Sequence, residues 1–247
     1  MAERSTEIFQ RVEKKYILSQ KQYQELRKKM SPYMQEDEYG LSTICNVYYD
    51  TEDFELVRRS NEKPVYKEKL RLRSYGVPQE NDKTFVEIKK KWKGVVYKRR
   101  IELPLKEARK YLAHGIMPSS SVNSQIRREI DYFLKLYHPL PQMYIAYDRI
   151  AMYGKEDSSI RITFDFHIRA REEDVDLSMG DAGRLLMKNE EVLMEIKVGN
   201  AYPLWLADML CSLDIYPVSF SKYGKFYCSG LVANQNEKQE AKICLLA

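Results

Sequence analysis

The sequence predicts an α+β fold, a closed antiparallel β-barrel of about eight strands that forms a basic tunnel, with helices packed outside. Three observations lead there. Several segments alternate charged and apolar residues with period two, the period of a strand with two unlike faces. Their charged faces are strongly basic. Their connections are short enough to demand antiparallel neighbours.

The alternation is clearest in Tyr66–Arg73, YKEKLRLR, which sends Lys67, Lys69, Arg71 and Arg73 to one face and Glu68, Leu70 and Leu72 to the other. It recurs in Arg11/Glu13/Lys15, Glu87/Lys89/Lys91, Lys98/Arg100/Glu102, Arg161/Asp165/His167/Arg169 and Glu195/Lys197. With Arg149, these positions hold fourteen Lys or Arg and five Asp or Glu, although the whole chain has 41 basic and 36 acidic residues. The rest of the chain is therefore net acidic, whereas an ordinary solvated face mixes its signs as the surrounding surface does. Charge gathered in this way attracts a dense polyanion.

Taken in order, Phe9–Leu18 reads as the first strand. Ser19 then caps a helix over Gln20–Met30, which Ser31-Pro32 ends. Thr43–Tyr49 is a strand closed by Asp50-Thr51. Gly76-Val77-Pro78 leads to a strand over Thr84–Trp92, and Lys93-Gly94 turns the chain into Val95–Leu103. Helices follow at Leu105–His114 and Ser124–Tyr137, the second with Ile126, Ile130, Phe133, Leu134 and Tyr137 as an apolar stripe. Strands return at Tyr144–Tyr153, Ile160–Arg169 and Glu191–Val198. Pro203–Leu213 has helical spacing, and Val218–Tyr227 ends the ordered part. Residues 1–230 are expected to form one catalytic domain, with 231–247 a polar, mobile tail.

Composition narrows the classes further. At 247 residues with 44% hydrophobic and 31% charged side chains, the chain is of globular type. No apolar run approaches the ~20 residues of a membrane span, and the charged N-terminus carries no signal-peptide core, so a cytoplasmic location is expected. The four cysteines, Cys45, Cys211, Cys228 and Cys244, form no CxxC pair and read as reduced, mostly buried thiols. No aromatic platform of the kind used by RNA readers accompanies the charge, so nucleic acid is not expected as a partner.

Filling a narrow barrel with Lys and Arg is affordable only if it admits water and an anion, and a chain of phosphates suits forked guanidiniums and mobile ammoniums. The segments RVEKKY (11–16), KLRLRSYG (69–76), FVEIKKK (85–91), YKRR (97–100), YDR (147–149), IRITFD (160–165), MEIKV (194–198) and FSKYGKF (220–226) together resemble the ordered motif set of the polyphosphate polymerase (VTC) domain. That family belongs to the triphosphate tunnel metalloenzyme, or CYTH-like, superfamily.

The resemblance implies an ATP:polyphosphate phosphotransferase. The γ-phosphate of ATP would pass to a growing polyphosphate chain inside the tunnel, with Mn2+ or Mg2+ as cofactor and ATP and polyphosphate as partners. By motif, Lys15, Arg71, Arg73, Lys89, Arg149, Arg161 and Lys222 would be catalytic. Arg11, Lys69, Lys98, Arg100, Lys197 and Ser219 would bind substrate. Glu195 would hold the metal, with Glu13 and Glu87 as further candidates. Two departures stand out. The first strand reads Arg11-Val12-Glu13-Lys14-Lys15 instead of the ExExK of the superfamily's hydrolases, and Ser219 replaces a lysine usual in the polymerase motif. A metal-dependent triphosphatase and a non-catalytic polyphosphate-binding module are the alternative readings.

Overall fold

The computed structural model describes residues 12–93, 95–116, 124–199 and 201–230. Arg11 and the expected tail 231–247 lie outside them. In chain order the elements are β1 (Val12–Ser19), α1 (Gln20–Met30), β2 (Met34–Glu36), β3 (Ser42–Asp50), α2 (Glu55–Asn61), β4 (Tyr66–Tyr75), β5 (Lys83–Trp92) and β6 (Val95–Pro104). They continue with α3 (Leu105–His114), α4 (Ser124–Tyr137), β7 (Leu140–Gly154), β8 (Arg161–Arg171), β9 (Arg184–Leu185), β10 (Glu191–Val198) and α5 (Leu204–Ser212). Residues 222–230 are also helical.

The strands form one ten-stranded sheet with the path β1-β10-β8-β7-β3-β4-β5-β6, to which β2 adds on β7 and β9 on β8. The path ends at β1 and β6, and among the described residues no pairing joins those two strands. The expected closed barrel and enclosed tunnel are therefore corrected to an open antiparallel sheet. Alternation decides which face a residue takes, but carries no information on whether the first and last strands of a sheet meet. β6 has the character of a solvated edge: six of its ten residues are exposed, Lys98, Arg100 and Glu102 among them, and charge on an edge strand guards it against further pairing.

The chain divides into two compact units. The first comprises Met1–Ser42, Asp148–His167 and Met187–Ser219. Its β1, β10 and β8 pair antiparallel, with Tyr16 opposite Met194 and Met194 opposite Phe164. This apolar face packs with Leu18, Leu26, Met30, Ile196 and Leu206 into one core. Helix α1 starts where Ser19 predicts: the Ser19 hydroxyl accepts from the Gln22 N–H, and the Gln22 side chain accepts from the Ser19 N–H. This reciprocal box satisfies donors that a helix start otherwise leaves open.

The second unit comprises Thr43–Tyr147, Ile168–Leu186 and Phe220–Ala247. Strands β4, β5 and β6 form the expected meander, with Leu70 opposite Ile88 and Leu72 opposite Val86. These residues are buried with Ile101 and Leu103 beneath Leu105, Ala108, Tyr111 and Leu112 of α3 and Ile130 and Phe133 of α4. Full burial of each such Leu or Ile stabilises by roughly 1.5–3 kcal/mol, so the apolar half of the alternation fixes the register. The charged half has to face the other way.

Four elements were not foreseen, the helix over residues 222–230 among them. β2 and β9 are three and two residues long, too short to show a period. Helix α2 takes no side-chain cap from Phe54, which precedes it at φ 61; the Thr51 hydroxyl accepts the Glu55 N–H at 2.8 Å, and the next two donors are met from the end of the preceding strand. Asp50 Oδ1 accepts from the Leu56 N–H and Oδ2 from the Val57 N–H, at 2.8 and 3.0 Å. Of the described cysteines, Cys45 is buried as expected, whereas Cys211 and Cys228 are exposed; all three are free thiols.

Candidate functional site

In the second unit, register converts the alternation into cross-strand rows on one face. Lys67 lies opposite Lys91; Lys69, Lys89 and Lys98 align; Arg71, Glu87 and Arg100 align; Arg73 lies opposite Phe85. Glu87 is the centre of the group, with its side chain 2% exposed. Arg71 donates to its Oε2 from Nε at 2.8 Å and approaches the same oxygen with Nη2 at 2.6 Å. Arg73 Nε is 3.8 Å away. Lys98 Nζ stands 2.7 Å from Oε1.

The second layer is polar and buried. Arg71 Nη1 donates to the Tyr48 hydroxyl at 3.2 Å. Arg73 donates to Asn46 Oδ1 at 2.9 Å and to the Tyr147 hydroxyl at 3.0 Å, and Asn46 donates onward to the Ile145 carbonyl. The segment entering the 222–230 helix completes the group. Lys222 Nζ lies 4.3 Å from the Tyr147 ring centroid, Lys69 donates to the Ser221 hydroxyl at 3.3 Å, and Tyr223 stacks on Tyr48 with centroids 5.0 Å apart. Tyr223 also donates to Asp50 Oδ2 at 2.7 Å.

Electrostatics follow from this crowding. Burial pushes the Glu87 carboxyl up, but Arg71, Arg73 and Lys98 outweigh it and hold the group at about 2. Burial lowers the Lys98 ammonium to about 8, with Glu87 opposing and Arg71 and Arg73 assisting. Burial raises the Tyr48 phenol, yet Arg71 and Lys222 leave it below its ordinary value. A single carboxylate thus organises a face whose net charge remains strongly positive. Lys98 is therefore expected to lose its charge between pH 7 and 9, which an NMR titration of its side chain measures.

In the first unit, Lys15, Glu195 and Thr163 form one row, and Glu13, Lys197 and Arg161 form the next on the same face. Glu195 receives Lys197 Nζ at 2.5 Å and Lys15 Nζ at 3.9 Å. Arg149 grips Asp165 through Nε and Nη2 at 2.6 and 2.8 Å. Asp165 is 1% exposed, so Asp165→Asn leaves a half-buried guanidinium short of its counter-charge. The expected cost is about 3 kcal/mol, read as a lower urea midpoint. Ser219 is exposed, and the adjacent Val218 donates its N–H to the Lys15 carbonyl at 2.7 Å. The expected site residues thus gather as two groups, one within each unit. Arg11 lies outside the described residues.

The VTC domain profile matches residues 10–230 of this chain. The chain belongs to the VTC domain family. A curated relative, vacuolar transporter chaperone complex subunit 4 of Trypanosoma cruzi (strain CL Brener), is 30% identical over 164 residues, covering 55% of this chain and 20% of the relative. This VTC domain therefore spans about a fifth of that protein's length. Among solved structures, a candidate adenylate cyclase of Bacillus halodurans superposes with a TM-score of 0.53 at 15% identity, covering 85% of this chain and 92% of its own. A candidate adenylyl cyclase of Hippeastrum, described as having a dominant triphosphatase activity, gives 0.54 at 15% identity, covering 89% and 96%. At that identity these two report a shared fold.

The VTC domain's carboxylates differ in their fitness for a cation. Glu87 is already neutralised by three cationic side chains and does not fit a metal ligand. Glu195 and Glu13 are diagonal neighbours on one face of adjacent strands and offer hard oxygen donors, although a cation on Glu195 has to displace the Lys197 and Lys15 ammoniums paired with it. Among the described residues no three His, Cys, Asp or Glu converge as a cage. That donor set fits a divalent ion of the kind that takes one or two carboxylates and completes its shell with phosphate oxygens and water. Asn46, Tyr48, Tyr147 and Asp165 did not emerge as site residues from the sequence. Asn46 and Tyr48 share a period-two face with Asp50, a signal a count restricted to charged residues passes over.

Proposed function

We propose that this VTC domain transfers the γ-phosphate of ATP to the end of a polyphosphate chain held along its basic face. The observation that carries the reading is the array of Lys69, Arg71, Arg73, Lys89, Lys98, Arg100 and Lys222 ordered around the buried carboxylate of Glu87. In the transfer, a terminal oxygen of the acceptor forms a bond to the γ-phosphorus, the bond from that phosphorus to the β–γ bridging oxygen breaks, and ADP leaves. Such a step depends on positioning and charge stabilisation and needs no protein nucleophile. Arg71 and Arg73 supply fixed forks pre-oriented by Glu87, Tyr48, Asn46 and Tyr147, while the lysines supply mobile point charges.

Within the first unit, Lys15, Arg149, Arg161 and Lys197 form a basic group of their own that would contact phosphate in this reading, and Ser219 offers a hydroxyl. Glu195 with Glu13 would hold Mn2+ or Mg2+, which when bound offsets phosphate charge. Among the described residues no helix is long and apolar enough to cross a membrane; a cytoplasmic, ATP-consuming role, in an assembly such as the relative's name denotes, belongs to the same proposal. The triphosphatase likeness supports a second reading, in which water takes the acceptor's place.

Incubation with ATP and Mn2+ separates the cases. Long-chain phosphate with ADP is the expected result. Orthophosphate alone favours the hydrolase, and unchanged ATP with retained polyphosphate favours a binding module. Glu195→Gln is expected to lower metal-dependent turnover by about a hundredfold while changing metal-free ATP binding by less than about threefold. Equal losses in both measurements remove Glu195 from the metal role.

A further inference from the structure

The end of the β4–β5–β6 meander carries an apolar surface that the basic face does not use. Tyr66, Trp92 and Val95 align across the three strands, on the face that α3 and α4 cover farther along. The next row, Glu68–Lys90–Tyr97, is tied to α4: Tyr137 donates to Glu68 Oε1 at 2.9 Å, and Glu129 pairs with Lys90 at 3.2 Å. Beyond it the cover thins, although Tyr66 still shares a small cavity with Tyr137 and with Leu56 and Arg59 of α2. Tyr66, Trp92, Val95 and Tyr97 are 40%, 50%, 38% and 47% exposed.

The opposite face of the same tip carries two exposed valines beside Lys67 and Lys91 of the basic rows. Val96, opposite Lys91, is 43% exposed, and Val65 at the strand entrance is 63% exposed. The Val65 carbonyl accepts the Lys93 N–H at 3.0 Å, which ties the two ends together. Segments 63–67 and 91–97 contain Lys63, Lys67, Lys91 and Lys93 and no acidic residue. Lys93 Nζ sits 5.0 Å from the Trp92 ring centroid. Burial first, and then the charges of Lys91, Lys63 and Lys89, lower the Lys67 ammonium, which donates to the Ser60 carbonyl at 3.0 Å.

We propose that this tip is a docking element for an anionic lipid surface, with Trp92, Val95, Val96 and Tyr66 entering the interfacial layer and Lys63, Lys67, Lys91 and Lys93 meeting the headgroups. Two features select a bilayer over a protein partner. The apolar side chains lie on both faces of the hairpin, whereas a protein docking on a sheet covers one. The rim is mainly cationic, with four lysines against the exposed Glu62 beside Lys63, and this balance complements phosphatidylserine-type headgroups at about 1 kcal/mol per lysine. Trp and Tyr at a strand end also suit a layer that is apolar on one side and wet on the other. The catalytic reading above does not enter this argument.

The test uses the full chain and vesicles of phosphatidylcholine with or without phosphatidylserine. Co-sedimentation with the phosphatidylserine vesicles is expected for the wild type. The double variant Trp92→Ser, Val96→Ser, which keeps every lysine, is expected to bind about tenfold more weakly or worse. Brominated acyl chains should quench the wild-type tryptophan fluorescence and leave that of the Trp92→Ser protein unchanged; the wild-type measurement does not depend on how a variant folds. The proposal is overturned by absence of binding, by equal binding of the double variant, which would reduce the effect to charge alone, or by wild-type fluorescence insensitive to bromine. A concentration-dependent dimer abolished by the same double variant would assign the tip to a second copy of this chain, and also overturns it.

Discussion

Glu87→Gln is expected to be the most destabilising single substitution in the basic face. It removes one negative charge from between Arg71, Arg73 and Lys98 and leaves buried guanidiniums without compensation, at a cost of about 3–5 kcal/mol. Denaturant unfolding at neutral pH measures it. The wild-type pH profile gives an independent check. Glu87 is held at about 2 against an ordinary 4.5, a depressed carboxyl. Its contribution is complete above about pH 4.5, declines as pH falls toward 2, and amounts to about 3 kcal/mol by linkage. The loss of stability across that acid window should be smaller in Glu87→Gln by this amount. A variant that unfolds at the wild-type midpoint would show that the arginines are held by something else.

Arg71→Ala is expected to have the largest effect on ligand. Arg71 joins Glu87 on one side and Tyr48 on the other, so its fork is fixed before any phosphate arrives and little entropy is lost on contact. Its removal should weaken tripolyphosphate binding about a hundredfold, roughly 2.7 kcal/mol, measured by calorimetry at fixed ionic strength. The fold should survive, because Arg73 and Lys98 still balance Glu87. Affinity within about threefold of wild type would move the binding site away from β4.

What the sequence disclosed, and what it withheld, follows from how far apart the deciding residues lie. Leu70 and Leu72 alternating with Arg71 and Arg73 settle which face of β4 is buried, because a one-residue slip would invert every side chain. The Ser19–Gln22 box is likewise local, and α1 ends at Met30 as expected. Closure of the sheet is not local: it depends on whether β1 and β6 meet, and nothing in either strand encodes that. Helix α2 was missed for a related reason, since its capping carboxylate, Asp50, stands outside it at the end of β3. Within the site, charged residues declare themselves by sign, while Asn46, Tyr48 and Tyr147 become relevant only when register sets them beside Arg71 and Arg73.

The hydrogen bond from Tyr223 to Asp50 spans 173 residues of chain, and it bears on how the protein is made. During synthesis, β3 and α2 emerge long before the segment that stacks on Tyr48 and brings Lys222 to Tyr147. A ribosome-bound fragment can therefore assemble the meander while its cationic face still lacks the final element. Contacts this far apart in sequence are expected to form late in folding. The cationic face would thus be completed only after residues 220–223 have cleared the exit tunnel.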